Sequence, residues 1–389
     1  METSNYLSNL RKFVAPEYIY GQGSRKLVTR YAKNFGLSKI LLVSDSGVKN
    51  AGWTHEIEKL LNKEGVETVL YDSVSPNPRD YEVMDGAKLF IEQNCDALVA
   101  IGGGSVMDCA KGIGLVVSND QHILEFEGVD NVEIPSPPLI CIPTTAGTSA
   151  DVSQFCIITD TTRLLKIAII SKMTIPDVAL IDPETTMTMS QELTIETGLD
   201  ALTHAIEAYV SNAHSPMTDL NSLEAIKVLI QNLPKVYEEP ENFEVRNNMM
   251  LGSLYAGLAF SNASLGAIHA MAHSLGGLKD LPHGLCNTIL LDKVIDYNFD
   301  SSSRRYRQIA DIFNLKANQA GDSFVKTDIL KYLKDIKQQL GVDKKLSELG
   351  LSDKEIPSLA NNAYKDACIA TNPKKITNIE LERIYEQSI

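Results

Sequence analysis

Three of the chain's seven histidines fall within one short stretch, GAIHAMAHSLGGLKDLPHG, at residues 266–284. His269 and His273 are four residues apart, so on a helix their imidazoles face the same side. His283 follows a Gly-Gly pair and a proline, which allow the chain to turn back toward them. Asp200 and His204, in GLDALTHAIEAYV, repeat the four-residue spacing. These spacings suggest that a carboxylate and several imidazoles act together.

A carboxylate and several imidazoles, with no thiol nearby except Cys286, are typical ligands of a divalent first-row metal. A site without a cysteine ligand is less typical of structural zinc. Any one histidine taken alone is more often a half-buried, hydrogen-bonded imidazole. The recurrence of ligand spacing beside an aspartate favours a metal site for the group as a whole.

A second stretch, DALVAIGGGSVMDCAKGIG at residues 96–114, places three glycines between a strand pattern and a helix pattern. Glycines let the backbone approach a ligand closely, and a helix N-terminus offers free N–H groups to an anion. Ser105 can cap this helix, and Asp108 follows three residues later, as in a capping box. The turn is therefore either a pyrophosphate cradle or a tight connection that binds nothing.

The usual dinucleotide fingerprint fits this stretch poorly, because the glycines follow the third predicted strand rather than the first. The candidate acid for a ribose contact is Asp45, which ends SKILLVSD and precedes the glycines. A carboxylate there can accept hydrogen bonds from ribose hydroxyls and repel a 2′-phosphate. Alternatively, Asp45 caps a helix or turn that begins within the segment SDSG.

Strand and helix patterns alternate in the first half of the chain, which predicts a parallel sheet with crossover helices. The predicted strands are residues 38–45, 66–72, 96–104, 137–145 and 177–183, and the predicted helices are 51–65, 79–94 and 105–119. Beyond Pro183 helical periodicity recurs at residues 194–212, 219–238, 245–263, 322–341 and 378–388. The predicted fold class is therefore α/β plus all-α, with an α/β domain at residues 1–185 and an all-helical domain at 186–389.

Composition narrows the class of protein. The chain has 389 residues, with 36 Lys and Arg against 50 Asp and Glu, a net charge of −14 that disfavours a nucleic-acid partner. The N-terminal residues lack the pattern of a secretory signal, and no apolar run is long enough to cross a membrane. The six cysteines are scattered without a CxxC pair, which is typical of reduced thiols in a cytoplasmic protein.

Several long motifs, in the same order, resemble the iron-containing (group III) alcohol dehydrogenases: GGGSVMDCAKGIG, PTTAGTSADVS, KIAIISKMTIPDVALIDP, GLDALTHAIEAYVS, NASLGAIHAMAHSLGG, LPHGLCN and TNPKKIT. This resemblance covers essentially the whole chain. It implies a dehydroquinate-synthase-like architecture, with an N-terminal nucleotide-binding domain, a helical metal-binding domain and a cleft between them. The family's metal ligands map onto Asp200, His204, His269 and His283, and its non-ligand histidine near the active site maps onto His273.

The resemblance also implies further contacts and an activity. The family's cofactor positions correspond to Asp45, Asn77, Gly103, Gly104, Ser105, Thr144, Thr145, Lys166 and Leu180. Its substrate pocket corresponds to Gln154, Phe155, Phe260 and Cys368. The implied activity is a metal-dependent, NAD-linked alcohol dehydrogenase or aldehyde reductase that acts on a short-chain primary alcohol or aldehyde. The implied cofactors are NAD(H) and a divalent metal, Fe²⁺ or Zn²⁺, and relatives are commonly homodimers or larger homo-oligomers.

Two departures from the family bear on the substrate. Many members have Gly-Ser-Glu where this chain has Ser149-Ala150-Asp151. Lys279 occupies a position that is often aromatic or aliphatic in relatives, and the glycines before it lead us to expect its side chain at the cleft mouth. There it would attract a short aldehyde with a sulfonate or carboxylate tail, whereas a solvated lysine is the alternative. A nucleotide-sensing regulatory protein with little turnover is a further alternative.

Overall fold

The computed structural model describes residues 11–315 and 321–389. Nine strands lie in the first half of this described part: β1 Glu17–Tyr20, β2 Lys39–Val43, β3 Glu67–Tyr71, β4 Ala97–Gly102, β5 Gly128–Val129, β6 Leu139–Pro143, β7 Phe155–Asp160, β8 Leu165–Ile170 and β9 Val178–Ile181. Strands β4 and β6 are buried along their whole length. Continuous apolar runs of this kind are typical of parallel strands covered on both faces.

The main sheet has the order β1-β9-β6-β4-β2-β3, and every neighbouring pair is parallel. The chain passes from β2 to β3 on one side and then crosses to β4 on the other, so the direction of winding reverses between β2 and β4. In such sheets the crevice at the carboxyl ends of the two strands is the usual ligand site. Asp45 follows β2 and Gly103 follows β4, so both residues flank this crevice.

Helices cover both faces of the sheet: α1 Val28–Asn34, α2 Ser46–Asn50, α3 Trp53–Lys63, α4 Asp80–Glu92 and α5 Gly104–Asn119. Residues of α4 and α5, such as Val83 and Ile113, join one hydrophobic cluster with the sheet. Residues of α1 and α3, such as Val28 and Ile57, join a second cluster on the opposite face. The predicted layered α/β arrangement is confirmed.

A smaller sheet, β5-β8-β7, was absent from the sequence prediction, as was β1. Strands β7 and β8 form an antiparallel hairpin. The hairpin was missed because its turn lacks an Asn-Gly or Asp-Gly pair. Instead, the Asp160 carboxylate accepts hydrogen bonds from the backbone N–H groups of Thr162 (2.8 Å) and Arg163 (2.9 Å). Because β1 precedes the predicted strands, the glycine turn follows the fourth strand rather than the third.

The second half of the described chain consists of helices: α6 Gln191–Val210, α7 Pro216–Glu238, α8 Phe243–Ala263, α9 Ala267–Lys279, α10 His283–Asn298, α11 Ser303–Ile312, α12 Asp322–Gln339, α13 Ile356–Lys365 and α14 Asn378–Glu386, with short 3₁₀ turns between several of them. Their starts follow ordinary capping chemistry. Ser190 caps α6, and Ser215 caps α7, which has Pro216 at its first position. The division near residue 185 stays a prediction, and it lies between the end of β9 and the start of α6.

Two sequence expectations concern the whole described chain. None of the helices in residues 11–315 and 321–389 combines the length and apolar character that a membrane span requires. All six cysteines lie in the described part and are buried free thiols.

Candidate active site

Four side chains from three helices converge at one point. Asp200 and His204 come from α6, His269 comes from α9, and His283 is the first residue of α10. One potential ligand atom from each lies within 4.8 Å of the others. The Asp200 oxygens lie 3.9 Å from His204 Nδ1, 3.7 Å from His269 Nε2 and 3.8 Å from His283 Nε2. The structure thus brings the four predicted metal ligands together.

Two glycines allow the three helices to approach one another closely. A Cβ atom at Gly284 would lie 2.3 Å from the Glu196 carbonyl oxygen, so only glycine allows α10 to start against α6. A Cβ atom at Gly266, just before α9, would lie 2.8 Å from Glu207 Oε1. These two glycines place His283 and His269 beside Asp200.

Two residues that the sequence analysis missed orient the cluster. Glu207 Oε2 lies 2.5 Å from His269 Nδ1, while its Oε1 accepts a hydrogen bond from the Ile268 N–H (2.8 Å). Asn287 Nδ2 donates to Asp200 Oδ1 (2.6 Å) and lies 3.0 Å from His269 Nε2. A carboxylate on the far nitrogen of an imidazole fixes the tautomer and turns the near nitrogen toward a metal.

Burial and neighbouring charges shift the pKa values of the cluster in different directions. Burial alone raises the pKa of Asp200, but the nearby imidazoles of His204, His283 and His269 outweigh burial and hold it below the ordinary value. Burial lowers the pKa of His204 to about 3 despite Asp200, so its imidazole is neutral and keeps a lone pair. Burial lowers the pKa of His269, but the nearby Asp200 carboxylate and the hydrogen bond with Glu207 raise it above its usual value.

The hydrogen bonding and the residue types of the cluster fit a metal ion. The buried Nδ1 atoms of His204 and His283 have no hydrogen-bond partner among the described residues. A buried polar atom without a partner is costly, and a bound cation would satisfy the one on His204, which faces Asp200. One carboxylate with three imidazoles is a suitable ligand set for Fe²⁺ or Zn²⁺.

A cleft between the two halves of the chain opens onto this cluster. Its lining includes His204, His269 and His283 from the helical half, and Gly104 and Ser105 from the glycine turn of the α/β half. The glycine turn lies at the switch point of the sheet, where an anionic ligand would meet the N-terminus of α5. The cleft therefore lies between the glycine turn and the four-residue cluster.

The other predicted cofactor residues lie at the carboxyl edge of the sheet or near it. Lys166 Nζ donates to Asn77 Oδ1 (2.6 Å), and both residues line the cleft. Thr144 and Thr145 follow β6, where Thr145 would lie 3.1 Å from a Cβ atom at Gly103.

Two predicted cofactor residues have other contacts. Asp45 Oδ1 accepts the Val48 N–H (2.9 Å) and caps α2, the alternative role left open by its sequence context. Leu180 is fully buried in the core cluster of α1 and α3, so its side chain is not in the cleft.

Asp108 is a further cleft residue that the sequence analysis treated only as a capping acid. It lines the cleft, and its Oδ1 atom is buried without a hydrogen-bond partner among the described residues. Burial raises the pKa of Asp108 to about 6. A hydroxyl group of a bound ligand would satisfy this oxygen. The sequence did contain a signal for this role, because Asp108 lies one helical turn after Gly104 and therefore on the same side of α5 as the glycine turn.

The predicted catalytic residue His273 also lines the cleft. Its Nδ1 atom lies 2.8 Å from Asp366 Oδ2, and its ring stacks on His283 with 5.4 Å between ring centroids. The predicted pocket residues Phe155 and Phe260 line the cleft and contact each other with centroids 5.6 Å apart. Cys368 packs in the same apolar cluster, but it is fully buried and does not line the cleft.

Two predicted pocket residues lie elsewhere, and the expectation for them needs correction. Lys279 Nζ lies 2.7 Å from Glu355 Oε1 and donates to the Gly350 carbonyl (2.9 Å), because a carboxylate beside the end of α9 satisfies the ammonium outside the cleft. Gln154 Nε2 donates to the Ser261 carbonyl (2.7 Å), and this residue borders a separate cavity. Neither residue lines the cleft that contains the four-residue cluster.

Known proteins resemble this chain along nearly its full length. The family described as "Iron-containing alcohol dehydrogenase" matches residues 15–183, and "Fe-containing alcohol dehydrogenase family, C-terminal" matches residues 194–389. Alcohol dehydrogenase 4 of Schizosaccharomyces pombe is 37% identical over 388 residues, which are 100% of this chain and 91% of the relative. The NAD-dependent methanol dehydrogenase of Bacillus methanolicus is 34% identical over 377 residues, which are 97% of this chain and 99% of the relative.

A solved structure of a 1,3-propanediol oxidoreductase gives a TM-score of 0.94 at 33% sequence identity, covering 98% of this chain and 100% of that one. The structural likeness spans both the sheet and the helices, as the two family matches do. On this evidence, the chain belongs to the iron-containing alcohol dehydrogenase family.

Proposed function

We propose that this chain is an NAD-linked, metal-dependent enzyme that interconverts a short-chain primary alcohol and its aldehyde. The observation that carries the proposal is the cluster of Asp200, His204, His269 and His283 in a cleft whose other wall is the glycine turn. The relatives named as alcohol and methanol dehydrogenases support both the reaction class and the use of NAD.

In the proposed mechanism the four-residue cluster holds the metal, with Glu207 fixing His269 through its Nδ1 atom. Bound Fe²⁺ or Zn²⁺ would supply a Lewis acid for the substrate oxygen. Bound nicotinamide would supply or accept the hydride. The glycine turn and the N-terminus of α5 would hold the pyrophosphate, and Lys166, whose Nζ atom donates to Asn77, would lie beside it.

His273 is proposed to hold and move the proton. Asp366 engages its Nδ1 atom, which leaves the other ring nitrogen to exchange a proton with the substrate side of the cleft. Asp45 is proposed to favour NAD(H) over NADP(H), because its Oδ2 atom is not used by the cap of α2 and its charge repels a 2′-phosphate. The anionic-tail alternative loses its support, since Lys279 pairs with Glu355.

A metal-depletion experiment tests the proposal. Chelation should abolish NADH oxidation with short aldehydes, and added Fe²⁺ should restore it. His283→Ala should lose bound metal and at least about a hundredfold in kcat, because the Lewis acid contributes several kcal/mol. His55→Ala is the matched control, because His55 is an exposed histidine on α3, away from the cluster.

Metal content, measured by elemental analysis, and circular dichroism should accompany the kinetics. Full activity and unchanged metal content in His283→Ala would remove His283 from the proposed ligand set. Activity that survives complete removal of metal from the native protein would overturn the metal-dependent reaction. The cytoplasmic location and the homodimer or larger homo-oligomer stay predictions.

A further inference from the structure

We infer that Phe155 makes the substrate end of the cleft reject a second hydroxyl group, so that this chain prefers monohydric primary alcohols to diols of the same length. This inference rests on the proposed function, because it concerns the carbon chain of an alcohol whose oxygen lies at the four-residue cluster. It goes further by naming the substrate class and the residue that selects it.

An unbroken apolar wall extends from the cluster. The ring of Phe260 stacks on His204 with centroids 4.3 Å apart, and Phe155 contacts Phe260 with centroids 5.6 Å apart. Leu265 packs in the same apolar cluster and lines the same cleft. A substrate held by its oxygen near His204 would therefore place its carbon chain against these side chains.

The polar groups nearest to this wall already have partners. Ser153 Oγ contacts Lys111 Nζ (3.4 Å) and the backbone N–H of Phe155 (3.4 Å). Gln154 turns away from the cleft and donates to Ser261. The Cys368 thiol is fully buried, and its backbone N–H donates to Asp366 (2.8 Å). A hydroxyl group at this wall would lose its bonds to water, and Ser153, Gln154 and Cys368 would offer it no free partner.

The wall is also held in place from behind. Lys111 on α5 is buried, and its Nζ atom donates to the carbonyl oxygens of Phe155 (2.6 Å) and Ser153 (3.0 Å). These bonds attach the start of β7 to the helix that begins at the glycine turn. Phe155 therefore cannot move its backbone aside to admit a water molecule for a substrate hydroxyl without breaking a buried charged hydrogen bond.

The free-energy argument gives the size of the effect. An apolar pocket rejects an added hydroxyl by roughly a hundredfold at most, and an unpaired buried hydroxyl costs enough for at least about tenfold. The polar cleft residues Asn77, Ser105 and Lys166 hydrogen-bond to one another on the side of the glycine turn. Asp108, whose Oδ1 atom has no partner among the described residues, lies on the helix that begins at the glycine turn, and the second ring nitrogen of His273 is proposed to face the reacting oxygen. All of these polar groups are expected to be engaged by the bound cofactor or by the reacting oxygen, so they do not offset this cost.

The experiment compares kcat/KM for 1-propanol, 1,2-propanediol and 1,3-propanediol in the metal-loaded native protein. We expect 1-propanol to exceed each diol by at least about tenfold. Phe155→Asn supplies an amide at the wall and should narrow that ratio at least about fivefold, by improving the diols. Phe155→Leu, which shortens the side chain and leaves it apolar, is the matched control and should keep the ratio within about twofold of native.

The outcomes separate two failures. Turnover of 1-propanol with equal turnover of the diols would overturn this inference and leave the proposed function intact. The same narrowing in Phe155→Leu as in Phe155→Asn would show that size, not polarity, sets the preference, which also overturns it. Turnover of none of these alcohols would overturn the proposed function and this inference together. Even if a variant fails to fold, the native comparison can still overturn the inference by showing no preference for 1-propanol.

Discussion

Glu207 connects the four-residue cluster to the start of α9. One of its oxygens holds His269 Nδ1 and the other accepts the Ile268 N–H, so a single buried carboxylate fixes both a ring and a backbone. The sequence could not single it out, because Glu207 on α6 looks like any acid on a helix. By contrast, residue type and spacing indicated a metal site among Asp200 and the histidines, and the resemblance then assigned the four ligand positions and separated His273 from them.

Removing this carboxylate should weaken metal binding. We expect Glu207→Ala to reduce the affinity for Fe²⁺ or Zn²⁺ by about 10- to 100-fold, as for other carboxylates that support a ligating imidazole. The measurement is a competition titration against a chromophoric chelator, which does not depend on turnover. Glu192→Ala is the control, since Glu192 is an exposed acid on the same helix. Equal affinity in both variants would mean that Glu207 does not support the metal site.

Lys279 shows where residue-level prediction reached its limit. Gly276 and Gly277 do not bend the chain as expected, because α9 continues through both of them and ends at Lys279. The direction of the Lys279 side chain, however, depends on Glu355, which is 76 residues further along the chain at the start of α13. No local pattern carries that information. Spacing predicts which residues share a helix face, but it does not predict which distant residue that face meets.

At the scale of elements, the buried alternating units were predictable and the hairpin was not. The strands β2, β4 and β6 are apolar runs that only a covered sheet explains. The β7–β8 hairpin depends on side-chain capping by Asp160 and on a left-handed residue, Leu164 (φ 53°). Leu rarely adopts that conformation, so its sequence gave no turn signal.

The Asp160 cap should make stability depend on pH at the acid end. Burial raises the pKa of Asp160, but hydrogen bonds from Thr162 and Arg163 outweigh burial and lower it to about 2, against an ordinary value of 3.8. Because the folded pKa is depressed, the cap stabilises fully above about pH 4 and is lost as the pH falls through about 2, at a cost of about 2 kcal/mol.

Urea unfolding of Asp160→Asn against the native chain measures this contribution. The variant should be less stable near neutral pH, and its deficit should shrink toward pH 2, where the native carboxylate is protonated. Glu133→Gln, on an exposed acid outside the hairpin, should show no such trend. A deficit that is constant with pH would exclude the carboxylate charge as its source.

At the scale of the whole molecule, a polar contact crosses the mouth of the cleft. Asp280, in the short connection between α9 and α10, accepts a hydrogen bond from Asn77 (2.8 Å) and pairs with Arg79 (2.9 Å). Asn77 and Arg79 belong to the α/β half, and Asn77 also accepts a hydrogen bond from the Lys166 ammonium. The contact joins the two halves beside the proposed cofactor site.

Weakening this contact should reduce cofactor affinity. We expect Asp280→Asn to raise the KM for NADH by about two- to fivefold, the range for an exposed ion pair worth up to about 1 kcal/mol. Added salt should raise the native KM toward that of the variant, because salt screens the pair. Glu355→Gln breaks the Lys279 pair inside the helical half and is the control. An unchanged KM in Asp280→Asn would show that the contact does not control the cleft.

The division of labour between the two halves has a consequence for the chemistry. The proposed metal ligands all come from residues 200–283, whereas the glycine turn belongs to the sheet. The two atoms that would exchange a hydride would therefore be held by different halves of the chain, and the distance between them would depend on how the two halves are placed. A displacement of about 1 Å can cost about a hundredfold in rate. A substitution far from both sites can thus alter the reaction rate by changing the distance between the substrate and the cofactor.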